Sequence, residues 1–108
     1  MRSLWKTWIE AKAERNALRV SERVRDALGG EAVDQRIEPY PKTSGFLVSF
    51  EVELGSEAWN DCVVEVIELG QRVGHEWILS GDVRDDPSGW SIKPSISGVK
   101  AIEWSLIY

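Results

Sequence analysis

Reactive side chains are scarce in this chain of 108 residues. It has one cysteine, Cys62, and one histidine, His75, so it cannot form an internal disulfide, and it lacks the three or four ligands that a zinc site of cysteines and histidines requires. It also has no GxSxG elbow and no GxGxxG loop between a strand and a helix. These deficits favour a protein without catalytic residues, metal or cofactor, and we predict that it is not an enzyme.

Long apolar runs are missing as well. No segment approaches the ~20 apolar residues that span a bilayer, and Met1 to Ile9 has neither the apolar core nor the small-residue cleavage site of a signal peptide. A small secreted domain would more often carry paired cysteines. We therefore expect a cytoplasmic protein that does not associate with a membrane and that folds as a single domain over residues 1–108.

Negative charge dominates, with a formal net charge of −5. Residues 1–30 hold seven basic and four acidic side chains, whereas residues 31–108 hold six basic and fourteen acidic ones. The basic ridge of the first segment is diluted by acidic neighbours: Lys12, Arg15, Arg19 and Arg23 alternate with Glu10, Glu14, Glu22 and Asp26. An acidic body repels phosphates and attracts basic partners, so we expect a basic protein partner and no direct binding of nucleic acid.

The first segment, residues 2–29, has the composition and spacing of a helix. Alanine, leucine, glutamate and arginine are abundant, and small or apolar residues recur at three- and four-residue intervals from Ala13 to Leu28. Trp5, Trp8 and Ile9 form a separate apolar cluster one turn apart. The pattern predicts one helix that ends at the glycine pair 29–30.

Alternating apolar and polar residues predict strands over 33–40 and 46–54, joined by a turn at 42–45. Pro39 and Pro41 place the first of these strands at a sheet edge. An apolar stripe predicts a second helix over 57–73, and strands follow over 76–83, 90–96 and 101–108, with a loop at 84–89. The order α-β-β-α-β-β-β predicts an α+β domain in which a mainly antiparallel sheet of four to five strands carries two helices on one face.

The reactive groups that do occur have ordinary structural explanations. Cys62 lies on the apolar stripe of the second helix, where we expect it to pack as a small hydrophobe, and His75 follows the helix end, too distant to activate it. Asp82, Asp85 and Asp86 cluster in one loop. This loop can be a solvated turn, an acidic patch that faces a partner or an ion-binding loop, although Lys93 stands where an EF-hand needs glutamate.

Tryptophan is abundant, with six residues. We expect Trp59 in a core stripe and Trp77 and Trp104 on strand faces. Trp90, beside the acidic loop, is either a core residue or a contact residue, since tryptophan is enriched at binding hot spots. The predicted partner-binding residues are Asp82, Asp85, Asp86 and Trp90, together with Glu51 and Glu53 on the exposed face of the strand at 46–54.

Several segments in the C-terminal part of the chain carry a family resemblance. They are Trp59-Asn60-Asp61, Gly74-His75-Glu76-Trp77-Ile78-Leu79-Ser80-Gly81, Asp86-Pro87-Ser88-Gly89-Trp90-Ser91 and Ile96-Ser97-Gly98-Val99, followed by Trp104. Over residues 45–108 the chain resembles the small acidic immunity proteins of bacterial polymorphic toxin systems in size, acidity, α+β order, tryptophan-bearing strands and an acidic turn. The resemblance implies a protein that binds a toxin domain tightly and covers its active site.

Other functions are compatible with the same residues. The chain can be a different small inhibitor or adaptor, such as a phage-encoded blocker of a host nucleic-acid enzyme. A small enzyme or ligand-binding domain would need a deep pocket with convergent polar groups and perturbed titratable residues. A homodimer can form through an exposed edge strand or through Trp5 and Trp8.

Overall fold

The structure, a computed structural model, describes residues 1–42 and 44–107. Its elements in chain order are β1 (Arg2–Glu10), α1 (Glu14–Leu28), β2 (Ala32–Tyr40), β3 (Gly45–Glu53), α2 (Trp59–Gln71), β4 (Gly74–His75), β5 (Ile78–Ser80), β6 (Ser88–Ser91), β7 (Lys93–Pro94) and β8 (Val99–Ile107). The α+β class is confirmed, but the order begins with a strand and includes more strands than the sequence predicts.

The prediction of one helix over residues 2–29 is wrong in its first third, because residues 2–10 form β1. Every second side chain of β1 points into the core, namely Ser3, Trp5, Thr7 and Ile9. Two of these four side chains are polar. The Ser3 hydroxyl donates to the Val52 carbonyl oxygen at 3.1 Å and the Thr7 hydroxyl donates to the Val48 carbonyl oxygen at 2.7 Å. These bonds to β3 satisfy hydroxyls that would otherwise be costly to bury.

β1 lies inside a six-stranded sheet with the order β2-β3-β1-β8-β6-β5, and every pair of neighbours is antiparallel. Trp5 of β1 is opposite Phe50 of β3 on one side and opposite Trp104 of β8 on the other. The sheet therefore exceeds the four to five strands predicted. A separate two-stranded ladder joins β4 to β7.

One face of the sheet packs against both helices in a single core. Trp5, Phe50 and Trp104 from the sheet belong to the same buried cluster as Val24 from α1 and Val66 from α2, and each of these side chains is at most 1% exposed. Residues that alternate to the other side of the strands point away from this core, which leaves a face that neither helix covers. We call it the open face; its members include Lys6, Trp8, Glu51, Trp90 and Glu103.

Local hydrogen bonds fix the helix ends. Gly29 takes φ 79°, a left-handed conformation suited to glycine, and its N–H donates to the Arg25 carbonyl oxygen at 3.0 Å. The Glu65 carboxylate accepts the N–H groups of Gly55 and Ser56 at 2.8 Å each, which ties α2 to the segment that precedes it.

The other predicted helices and strands differ from the observed ones mostly in where they begin and end. The strands predicted over 33–40 and 46–54 and the helix predicted over 57–73 are confirmed as β2, β3 and α2. Only the three-residue β5 forms within the strand predicted over 76–83, because β4 lies before that range. The strand predicted over 90–96 is replaced by β6, which begins two residues earlier, and the two-residue β7. The last strand begins at Val99, two residues early. Tyr108 of that predicted strand and Thr43 of the predicted turn at 42–45 lie outside the described residues.

Candidate protein-interaction surface

The acidic loop, residues 81–87 between β5 and β6, is braced by its own aspartates. The Asp86 carboxylate accepts the Asp82 N–H at 3.1 Å, and the Asp82 carboxylate accepts the Arg84 N–H at 2.8 Å. The N–H groups of Asp85 and Asp86 both donate to the Asp82 carbonyl oxygen at 2.9 Å. The loop therefore presents its exposed carboxylates from a shape that is set by internal hydrogen bonds.

The acidic loop is fastened to the start of α2. The Trp59 indole N–H donates to the Val83 carbonyl oxygen at 2.7 Å. This bond holds the loop against Trp59, whose neighbours along the chain, Glu57 and Asp61, are exposed carboxylates. We call the set formed by Glu57, Asp61, Asp82, Asp85 and Asp86 the acidic surface.

Basic residues are nearly missing from this part of the chain. Residues 51–90 carry ten acidic and two basic side chains, and no lysine or arginine occurs from residue 43 to residue 71. Within the part of the chain that the structure describes, Glu57 and Asp61 form no ion pair. The Arg84 Nε atom lies 3.5 Å from the Asp82 Oδ1 atom, but the arginine side chain is 86% exposed, so it neutralises the charge of the loop only weakly.

An apolar hollow adjoins the acidic surface. Its volume is about 100 Å³, and its walls are formed by α2, β5, β8 and the acidic loop. Its apolar lining consists of Val63, Ile67, Leu79, Val83, Pro87 and Trp104. Leu79 and Val83 are 55% and 57% exposed, and together they form an exposed apolar patch at the hollow. We call this feature the hairpin hollow.

Trp104 contributes an unusual polar group to the hairpin hollow. The residue is 1% exposed, and its indole N–H is buried and has no hydrogen-bond partner among the described residues. The ring lies across Gly89 of β6, where an added Cβ would come within 2.3 Å of the indole nitrogen. Buried donors without an acceptor are rare and costly, and this N–H is closed off from solvent beside Gly89.

Glu51 and Glu53 lie away from the acidic surface. Both belong to β3 on the open face, and Arg2 lies 3.4 Å from the Glu51 carboxylate and 3.2 Å from that of Glu53. The pKa of Glu53 lies below its ordinary value because it accepts hydrogen bonds from the Met1 amino group and from Arg2. These two carboxylates are therefore partly neutralised within the protein.

Trp90 is also on the open face, and its ring meets Trp8 in an edge-on contact with 5.1 Å between ring centroids. Trp8 in turn meets Tyr40 at 6.4 Å. Trp90 and the acidic loop thus belong to opposite faces of the hairpin that β5 and β6 form. Of the six residues predicted to bind a partner, the structure brings Asp82, Asp85 and Asp86 together and separates Trp90, Glu51 and Glu53 from them.

The aliphatic members of the hairpin hollow and the carboxylates of Glu57 and Asp61, at the start of α2, are not among the predicted contact residues. The signal for Glu57 and Asp61 was present in the long stretch without a basic residue. Leu79 and Val83 had no such signal, because an isolated aliphatic residue in a predicted strand is usually buried.

Cys62 and His75 do not form a catalytic pair. Cys62 is buried near the start of α2 and its thiol donates to the Ser56 carbonyl oxygen at 3.3 Å, whereas His75 is exposed on β4 beyond the other end of the helix. Burial raises the pKa of the Cys62 thiol, which disfavours the reactive thiolate. Among residues 1–42 and 44–107, no group of three or more histidine, cysteine, aspartate or glutamate side chains is arranged to hold a metal ion.

Comparisons with protein-family models, with curated proteins and with solved structures give no match for this chain. Among the described residues, no helix has the length and apolar character needed to cross a membrane.

Proposed function

We propose that this protein is a non-enzymatic binding protein, an immunity protein that binds and neutralises a cognate bacterial toxin domain. The observation that supports this most is the acidic surface beside the hairpin hollow. Protein interfaces commonly combine an apolar centre with a polar or charged rim. Leu79 and Val83 provide such a centre here, and Asp82, Asp85 and Asp86 provide part of the rim.

The fixed shape of the acidic loop favours tight binding. A loop that is already held by hydrogen bonds loses less conformational freedom when a partner docks, so more of the contact energy remains as affinity. The bond from Trp59 to Val83 and the bonds among Asp82, Arg84 and Asp86 provide this restraint.

The charge of the acidic surface supports a partner with a basic surface. A toxin domain that cleaves nucleic acid carries a basic active-site groove, and an acidic protein is attracted to that groove over long distances. An inhibitor that fills such a groove blocks access of the substrate. The same surface would serve an inhibitor of another nucleic-acid enzyme, and the identity of the gene next to this one distinguishes the two.

The test is to purify the toxin encoded by the adjacent gene and to measure binding and toxin activity with and without this protein. We expect a complex whose association slows as salt rises, together with loss of toxin activity. If the two proteins form no complex at micromolar concentration, the proposal is wrong.

Matched triple variants locate the contact. Replacing Asp82, Asp85 and Asp86 with asparagine removes three charges and keeps the carbonyl oxygens that accept hydrogen bonds within the loop. We expect association at least about tenfold slower. The control replaces three exposed acidic residues of α1 and removes equal charge elsewhere; it consists of Glu14→Gln, Glu22→Gln and Asp26→Asn. Equal effects of the two triples would show that net charge, not this surface, governs binding.

A further inference from the structure

The two edges of the six-stranded sheet differ in how well they are protected. β2 is a long edge strand that carries the devices by which proteins prevent unwanted strand pairing. Its register shifts between Val33 and Arg36, Asp34 has a positive φ of 52°, and Pro39 lacks an N–H donor. This edge is therefore poorly suited to accept another strand.

β5 forms the opposite edge, and its short length of three residues is the one such device that it has. It consists of Ile78, Leu79 and Ser80, all exposed, with Ile78 62% and Leu79 55% exposed. It contains no charge, proline or bulge, and β6 is its only strand partner in the described residues. Among residues 1–42 and 44–107, no backbone hydrogen bond joins β5 to a segment on its outer side.

The hairpin hollow lies directly beside this edge. Leu79 pairs with Gly89, and Gly89 pairs with Trp104, so Leu79 and the Trp104 ring are on the same side of the sheet. A strand added outside β5 would place alternate side chains on that side, next to Leu79 and Val83.

The charges next to β5 indicate which kind of segment can pair with it. A second copy pairing antiparallel through β5 would place Asp82 of one copy near Glu76 of the other. Lys93 lies 2.9 Å from the Glu76 carboxylate but offsets the repulsion only in part, because both side chains are more than 60% exposed. A basic segment would instead lie beside the carboxylates of the acidic loop. The charge pattern thus disfavours a homodimer at this edge and favours a basic partner.

We infer that β5 accepts an extended basic segment of the partner protein as a seventh strand, with one apolar side chain of that segment in the hairpin hollow. Backbone hydrogen bonds to β5 supply affinity and the hollow supplies selectivity, as in other cases of strand addition. The inference rests on the proposed function only for the basic character of the partner.

The first test uses a synthetic peptide of alternating lysine and valine as the probe and the isotope-labelled protein for NMR. We expect the peptide to shift the indole N–H signal of Trp104 and to slow amide exchange within Ile78–Ser80 by about tenfold or more at saturation. A peptide of alternating glutamate and valine should do neither. A lysine–valine peptide that leaves both signals unchanged at millimolar concentration would overturn the inference.

Two lysine variants with equal initial exposure provide the control. Leu79 and Val64 are each 55% exposed, but Val64 belongs to α2 and is not part of the lining of the hairpin hollow. We expect Leu79→Lys to weaken peptide binding about tenfold, because a lysine on an edge strand opposes strand addition, and Val64→Lys to change it by less than about threefold. Equal losses, or a larger loss for Val64→Lys, would contradict docking at the β5 edge.

The same variants separate this inference from the proposed function. If the toxin of the adjacent gene binds and Leu79→Lys has no effect, strand addition is wrong and the immunity function stands. If the peptide binds at β5 and the toxin does not bind at all, the immunity function is wrong and the strand-accepting edge stands.

Discussion

Replacing Gly89 with alanine tests how closely the Trp104 ring is held against β6. A Cβ at position 89 would lie 2.3 Å from the Trp104 indole nitrogen, 2.5 Å from Cε2 and 2.9 Å from Cζ2. Comfortable contacts between such atoms are about 3.5–4.0 Å, so the ring or the strand must move by about 1 Å. Because Trp104 is 1% exposed, the ring cannot simply rotate into solvent.

The expected cost follows from two opposing effects. Overfilling a packed core costs about 1–3 kcal/mol, whereas replacing glycine lowers the entropy of the unfolded chain and recovers about 0.4–1 kcal/mol. The hairpin hollow, about 100 Å³ in volume, adjoins the ring and gives it some room to shift. We therefore expect Gly89→Ala to lower the free energy of unfolding by about 1–2 kcal/mol.

Urea unfolding followed by far-UV circular dichroism measures this change. Gly55→Ala is the matched control, because a Cβ at position 55 would meet its nearest neighbour, a Glu65 carboxylate oxygen, at an ordinary 3.8 Å. We expect the control to be unchanged or slightly more stable. If Gly89→Ala is as stable as the control within about 0.5 kcal/mol, the close contact between Trp104 and Gly89 is wrong.

Three further experiments test other parts of the structure. The Ser3 hydroxyl accepts the Trp5 indole N–H at 2.9 Å and donates to a β3 carbonyl oxygen, and Ser3→Ala removes both hydrogen bonds. We expect this variant to lower the free energy of unfolding in urea by about 1–3 kcal/mol. The control, Ser97→Ala at an exposed position, should lower it by almost nothing. Cys62 should react with a thiol reagent much more slowly in the folded protein than in urea, because burial blocks access and raises its pKa; equal rates would contradict its burial. Partial burial favours the neutral form of Glu65, but the N–H donors of Gly55 and Ser56 outweigh this effect and lower its pKa. The charged carboxylate therefore stabilises the folded protein above the pKa of Glu65 in the unfolded chain. This stabilisation is lost as the pH falls through its pKa in the folded protein. Glu65→Gln should therefore lower the free energy of unfolding at pH 7 and make stability fall less steeply below pH 4.5, the ordinary pKa of a glutamate. The control, Glu68→Gln at an exposed position, should change this pH dependence much less.

The sequence predicted β2, β3 and α2 well because each has one dominant period. β1 was mistaken for helix because it carries large residues on both faces: Trp5 and Ile9 face the core, and Trp8 lies on the open face. This combination produces three- and four-residue spacings as well as alternation. The buried Ser3 and Thr7 hid the alternation further, since their burial depends on carbonyl groups of β3 that sequence alone does not place.

The candidate site was predicted only in part for a similar reason. The three aspartates of the acidic loop are adjacent in sequence, so their clustering required no knowledge of the fold. Trp90 was grouped with them because it is close along the chain, but alternation along β6 directs it to the opposite face. The hairpin hollow depends on contacts among α2, β5 and β8, which are distant in sequence.

The position of β1 also has a consequence for the time at which the protein becomes competent to bind. The strands β8, β6 and β5 join the other half of the sheet through the ladder between β1 and β8, whose residues are separated by nearly the whole chain. Such long-range pairing is slow to form, so a newly made chain remains for a time without a finished β5 edge. If the protein guards a cell against a toxin, this maturation delay sets how far ahead of the toxin it must be synthesised.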